Sequence, residues 1–178
     1  HDLEIVHPWL YSTYLIEDNI KVSFTPSKKS AIYKVDFPEG TQKNFLIKGT
    51  EDMQFSEGEN SFTIQEKRSK PTRGEHAVTN TITIFVYGEI VDEKNKPIEN
   101  INYTFDTYKL QISATENAAS TLLIKYAISY ISDAQAKENF HKEIKNKKFE
   151  DVAKEGKKAW DTVTNQIQVE GGTTAQKR

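Results

Sequence analysis

Residues 121–130 read Thr-Leu-Leu-Ile-Lys-Tyr-Ala-Ile-Ser-Tyr. Leu122, Ile124, Tyr126, Ile128 and Tyr130 fall on one side of an extended chain, the period-two pattern of a β-strand. Directly afterwards the period changes. Ser132 is followed three residues later by Gln135, the spacing of a capping box, in which each side chain satisfies a backbone N–H at a helix start. Ala136, Phe140 and Ile144 then recur at i, i+4 and i+8, a narrow apolar helical stripe. Phe149, Val152, Ala153, Gly156, Trp160, Val163 and Ile167 keep helical spacing for about five turns, and Gly171-Gly172 stops them.

Upstream, everything reads as β-structure. Ile20, Val22 and Phe24 alternate with Lys21, Ser23 and Thr25, and Ala31, Tyr33, Val35 and Phe37 repeat the pattern after a Pro26-Ser27-Lys28 break. Tyr11–Ile16, Asn44–Lys48, Ser61–Glu66, Thr79–Ile90, Ile101–Phe105 and Leu110–Ala114 are further strands. Turn chemistry separates them at Glu17-Asp18-Asn19, Pro38-Glu39-Gly40, Glu57-Gly58-Glu59-Asn60 and Lys94-Asn95-Lys96-Pro97. About nine strands so spaced predict a mainly β fold, antiparallel sheets stacked as a sandwich rather than closed as a barrel. Lys67–Ala77 carries charge, Pro71 and Gly74 without periodicity and reads as a long exposed loop. The expected division is therefore a β-sandwich over 1–131 and a helical linker over 132–178. Thr173 with Gln176 resembles another capping box, and a domain rarely ends by opening a helix, so the sequence reads as cut there.

At 178 residues the chain is long enough for one domain with a sizeable core. A formal net charge of −2 supplies no basic field to hold nucleic acid or an acidic membrane surface. No apolar run approaches the ~20 residues of a membrane helix. With no cysteine there is neither a disulfide framework nor a thiolate metal site. The chain starts at His1 without an initiator Met or a visible signal peptide, which also reads as a processed or trimmed piece of something longer.

Local signatures of catalysis are missing. Glycoside hydrolysis needs two carboxylates flanking a sugar, and the candidates are Glu51/Asp52, Asp92/Glu93 and Glu89. The adjacent pairs sit in apparent turns, where acids are ordinary surface residues. His1, His7, His76 and His141 are scattered, with no metal-ligand spacing and no calcium-loop cluster of acids. There is no Gly-x-Ser-x-Gly elbow or glycine-rich phosphate loop. Trp9, Tyr11 and Tyr14 cluster near the start and could stack on sugar rings, but Tyr11 and Tyr14 fall on opposite strand faces, so at least one should point inward. Trp160 lies in the apolar stripe of the second helix, where packing against a neighbouring domain is the simpler account. No catalytic, cofactor-binding or metal-ligating residue is therefore expected here.

Three stretches carry a resemblance. Trp9 to Pro26, continuing through Ser30-Ala-Ile-Tyr-Lys-Val-Asp-Phe-Pro38, is similar to a strand–turn–strand segment leading into aliphatic-Tyr-x-x-x-Phe-Pro. Ile84-Phe-Val-Tyr-Gly-Glu-Ile90 is similar to an aromatic-rich strand ending in a Glu. Leu122 to Arg178 holds Ile-Ser-Tyr-Ile-Ser, Ala134-Gln-Ala-Lys-Glu-Asn, Phe149-Glu-Asp-Val, Ala159-Trp-Asp and Ile167-Gln-Val-Glu-Gly-Gly-Thr in order. Together they resemble the N-terminal domain of glycoside hydrolase family 92. The resemblance implies a galactose-mutarotase-like supersandwich, its first part missing, joined by helices to an (α/α)6 catalytic domain beyond Arg178. It also implies a parent that is an exported bacterial enzyme, periplasmic or extracellular. That enzyme would be a calcium-dependent, inverting exo-α-mannosidase acting on mannose-containing glycans, with acid, base and calcium ligands in the absent domain. The fragment alone would then be inactive. A free-standing carbohydrate-binding module, using Trp9 or Tyr108 as a platform, is the main alternative. A structural or adhesion sandwich without ligand is the third.

Overall fold

The computed structural model describes residues 3–50, 52–71, 79–166, 171–173 and 175. Among them are eleven strands and two helices: β1 Ile5–His7, β2 Leu10–Leu15, β3 Ile20–Pro26, β4 Ser30–Asp36, β5 Lys43–Lys48, β6 Met53–Glu57, β7 Phe62–Pro71, β8 Thr79–Val91, β9 Asn102–Asp106, β10 Lys109–Ala114, β11 Thr121–Ser129, α1 Asp133–Glu143 and α2 Phe149–Thr164. Eight strands form one sheet in the order β1-β2-β3-β4-β11-β8-β7-β6, and β5-β10-β9 form a second. All pairings are antiparallel. The expected mainly β sandwich is thus the observed fold, with the helices as a third layer.

The best-patterned strand sits at the centre. β11 pairs with β4 on one side and β8 on the other. Its front face carries Leu122 and Ile124, which join Val35, Ile90, Phe62 and Ile64 beneath Phe45, Leu110 and Ile112 of the small sheet. Its back face carries Leu123 and Ala127, which join Ile32, Tyr87 and Val91 beneath Phe140, Ile144, Phe149 and Val152 of the helices. A strand covered on both faces carries a near-continuous apolar run, and Leu122, Leu123, Ile124 and Ala127 are all buried. The neighbouring Gly88 of β8 is required by packing, since a Cβ there would lie 2.3 Å from the Phe62 ring.

Two strands were not anticipated. β1 and β6 are short edge strands, with three and five residues, too few for a period to register. The expected loop at Lys67–Ala77 is corrected over its first part: Lys67–Pro71 continues β7, paired with Thr79–Thr83 of β8. Lys67, Arg68 and Ser69 are exposed, so this end of the hairpin has no buried face to impose alternation. Gly74 and Ala77 lie outside the described residues, as do Ile167 and Gln176.

The helix start at Ser132 is where the sequence placed it. Ser132 Oγ accepts from the Gln135 backbone N–H at 3.1 Å. The reciprocal arm of the box is absent, because the Gln135 side chain donates to Glu138 and Asn139 instead. Asn139 and Glu143 are among the residues that fasten α1 to the sheet. Asn139 Nδ2 donates to the Ile128 carbonyl at 2.9 Å, and Glu143 Oε2 accepts from Ser30 Oγ at 2.6 Å and the Lys29 N–H at 3.0 Å. Partial burial alone would raise the Glu143 pKa, but these hydrogen bonds more than reverse it and hold the carboxyl below its usual range. A folded value below the unfolded one stabilises the fold above the ordinary glutamate pKa, and that contribution is lost as pH falls through the depressed value. Glu143→Gln is therefore expected to flatten the acid limb of the stability–pH curve below about pH 4.5. Urea titrations at pH 3.5 and 6 check this; equal pH dependence in both proteins would refute it.

α2 docks by its first half. Phe149 and Val152 are buried, and Gly156 lies against Trp9, where an added Cβ would come within 2.9 Å of Trp9 Cβ. Lys34 Nζ ties α2 to the sheet through Glu150 at 3.3 Å and the β8–β9 turn through Glu93 at 2.7 Å. Further along, Trp160 is 45% and Val163 61% exposed, so the stripe runs on past the surface it packs against.

Candidate functional site

The acids singled out by sequence are not brought together. Asp52 is exposed in the turn between β5 and β6, and Glu51 lies outside the described residues. Asp92 is half-buried and shapes its own turn, its Oδ1 accepting from the N–H groups of Lys94 and Lys96 at 2.8 and 2.9 Å. Glu93 is exposed and salt-bridged to Lys34. Glu89 points to the helix side of the sheet, where it accepts from the Tyr87 hydroxyl at 3.0 Å and stands opposite Lys125 in register. Among the described residues no three His, Cys, Asp or Glu side chains converge to hold a metal ion. His7 and His141 are ring neighbours of Trp9 and Tyr87 respectively, while His1 and His76 lie outside the described residues.

The most unusual titratable group is one the sequence left unmarked. Lys125 is 0% exposed, and its Nζ lies 3.0, 3.0 and 2.8 Å from the carbonyl oxygens of Ile144, Lys145 and Lys147 and 2.6 Å from Asn95 Oδ1. These carbonyls belong to the C-cap of α1 and the turn that follows it, where the backbone leaves the helical pattern, and this ammonium donates to them. Burial pushes its pKa down to about 8, with Glu89 acting in the opposite direction. Enclosed by backbone, it clasps α1 to the sheet and offers nothing to a substrate.

The candidate sugar platforms are engaged in structure. The Trp9 ring stacks on His7 with centroids 4.8 Å apart, and the Lys157 ammonium lies 5.6 Å from its centroid. Tyr108 has the ammonium groups of Lys48 and Lys109 at 5.7 and 5.3 Å. Tyr11 and Tyr14 leave opposite faces of β2, as alternation requires, but both are only half-buried; neither points fully inward. The Tyr11 hydroxyl donates to Glu4 at 2.7 Å, and Tyr14 donates to Asn19.

One concavity stands out. A trough of about 720 Å³ runs between β5 and the front face of the large sheet, lined by side chains from every strand of that sheet but β1. Its lining is mostly apolar, with Leu15, Val22, Tyr33, Val86 and Tyr126 among the floor residues. Three of the polar side chains in it have partners, while the hydroxyls of Tyr33 and Tyr126 also line it. Glu66 accepts from the Thr50 N–H at 2.9 Å, Asn44 from Ser113 Oγ at 2.9 Å, and Lys48 lies at the Tyr108 ring. The front-face alternation of β3, β4 and β11 was visible in sequence, but which part of that face stays uncovered depends on how far the second sheet extends.

The fold has solved counterparts. An inverting mannosidase of family GH92 from Bacteroides thetaiotaomicron, BT2199, superposes with a TM-score of 0.80 at 16% identity, covering 97% of this chain and 24% of that one. The GH92 α-mannosidase BT3965 of the same organism gives 0.69 at 17% identity, covering 97% and 26%. The GH92 family glycosyl hydrolase ccman5 gives 0.75 at 13%, again covering 97% and 26%. The chain thus spans about a quarter of the length of the solved relatives it matches. No curated protein is significantly similar to it in sequence. The family model described as the glycosyl hydrolase family 92 N-terminal domain matches residues 1–149, more than half of the chain, and the chain belongs to that family.

Proposed function

We propose that this chain is the N-terminal sandwich of a larger exo-acting α-mannosidase, an exported enzyme that releases mannose from glycans with inversion and with calcium. The chemistry belongs to a catalytic domain beyond residue 178, and this chain alone is inactive. The observation that carries the reading is that 97% of the chain superposes on only 24% of an inverting mannosidase. Inversion requires an acid and a base about 6.5–9.5 Å apart, with room for a water between them. Asp92 and Glu93, the nearest thing to such a pair, are taken up by a turn and by Lys34. Among the described residues no acids converge as a calcium site requires either. The division at 131/132, with the helices as a linker, is part of the same proposal. Its support is the apolar stripe of α2, which continues to Trp160 and Val163 beyond its contact with the sheet and suits a neighbouring domain.

The test compares mannose release from α-mannobiosides by this chain and by the full-length polypeptide, with and without a calcium chelator. The full-length protein is expected to be active, to lose activity on chelation, and to yield the inverted anomer first by NMR. The 178-residue chain is expected to release none. Release by the short chain, or none by the long one, overturns the reading.

A further inference from the structure

The trough has a particular shape. β5 lies across the strands of the large sheet: Phe45 meets Phe37 edge-on at 5.3 Å near the end of β4, while Gly49, just past its other end, approaches Met53 at the start of β6. Among the described residues β5 pairs with β10 alone and ends its sheet. Its other edge presents unpaired N–H and C=O groups along the trough, whose β5 wall includes both the inward Phe45 and Ile47 and the outward Asn44, Leu46 and Lys48. An edge of this kind is a template for another strand. A strand added there would lie about 4.8 Å beyond β5, over Tyr33 and Tyr126.

From this geometry we infer that the trough is a strand-addition slot, filled by an extended apolar segment of the same polypeptide lying outside residues 1–178. The chemistry of the walls selects the occupant. A sugar needs several converging donors and acceptors, whereas Glu66, Asn44 and Lys48 are spent on Thr50, Ser113 and Tyr108, and the Tyr33 and Tyr126 hydroxyls stand in an otherwise apolar lining. An apolar strand needs what remains: a row of backbone groups for its main chain and an aliphatic and aromatic floor for alternate side chains. The floor is otherwise left wet, with Leu15 43%, Tyr33 36% and, on the β5 wall, Leu46 63% exposed. The solved relatives carry about three quarters of their length outside the matched region, which gives such a segment a source. The inference rests on the reading of this chain as one part of a longer polypeptide.

The experiment uses that full-length polypeptide with Tyr33 replaced by the photoreactive p-benzoylphenylalanine. After irradiation, the expected product has the mass of a single chain, and its cross-linked peptide maps outside residues 1–178. A product of two-chain mass would put a second copy in the trough, and cross-links confined to residues 1–178, or none, would leave it empty; each overturns the inference. Hydrogen exchange on the unsubstituted protein gives a second readout: slow exchange at all six residues of β5 is expected, whereas alternating fast and slow amides, the signature of a free edge, refute it. Mannose release assayed alongside keeps the two ideas separable, since an active enzyme with an empty trough refutes only this one.

Discussion

Truncating Phe140 to alanine lowers the unfolding free energy by about 3–5 kcal/mol, the range for deleting a fully buried phenylalanine. The ring is 0% exposed and meets the Tyr87 ring edge-on, with centroids 5.1 Å apart. Its neighbours come from both sides of the helix–sheet boundary: Ile32, Leu123 and Ala127 from the strands, Ala136, Ile144 and Val152 from the helices. The cavity would therefore open between layers, where collapse is hindered by the pairing of β4, β11 and β8. Urea unfolding followed by both near-UV and far-UV dichroism measures the loss. It also probes the proposed division after residue 131, because an isolated helix of eleven residues is marginal in water. A loss below about 1 kcal/mol, or a far-UV transition preceding the near-UV one, would mean that the linker folds independently of the sandwich instead of packing on it through α1.

Lys125→Met removes the donor from four oxygens while leaving the volume nearly unchanged. A buried acceptor stripped of its partner costs about 1–3 kcal/mol, and three of the four are carbonyls of the α1–α2 connection, of which Ile144 alone keeps a second donor, the Lys147 N–H at 3.1 Å. Relief from burying an ammonium offsets part of this, so the net loss is about 2–4 kcal/mol at pH 7. The pH dependence has a definite sign. Because burial holds the folded pKa at about 8, below that of a solvated lysine, unfolding takes up a proton between pH 8 and about 10.5. Lys125 thus adds stability as pH rises through that window, and the deficit of the variant grows from pH 7 to pH 10. A deficit that stays constant would show that Lys125 titrates like a surface lysine, and one that shrinks that folding raises its pKa; either refutes the prediction.

How far this was legible differs element by element. The central strand announced itself, since burial on both faces leaves a long β-branched and aromatic run at 121–130. The same burial hid the role of Lys125: at an alternate position of a strand it reads as a solvent-facing charge, and only the docking of α1 turns that face into an interior. Lys67–Pro71 was misread for the opposite reason, because a hairpin end exposed on both faces leaves no apolar period. The aromatic candidates were visible as residues but not as contacts. Whether Trp9 offers a ring to solvent depends on His7 beside it and on Lys157 about 150 positions away. The trough is a mismatch between eight strands and three, which no local pattern encodes.

The position of β11 sets a timetable for the ribosome. The last of the described strands joins two leaflets, β1–β4 and β8–β7–β6, that do not otherwise share a ladder. Asp36 of β4 and its partner Thr121 are separated by 85 residues. At ~5–20 residues per second the edge of β4 waits roughly 4–17 s for its partner to be made. During that interval a nascent chain carries two apolar edges open to one another and to neighbouring chains. Slow codons between 37 and 120 lengthen this exposure, so the yield of soluble protein is tied to the pace of translation through that stretch.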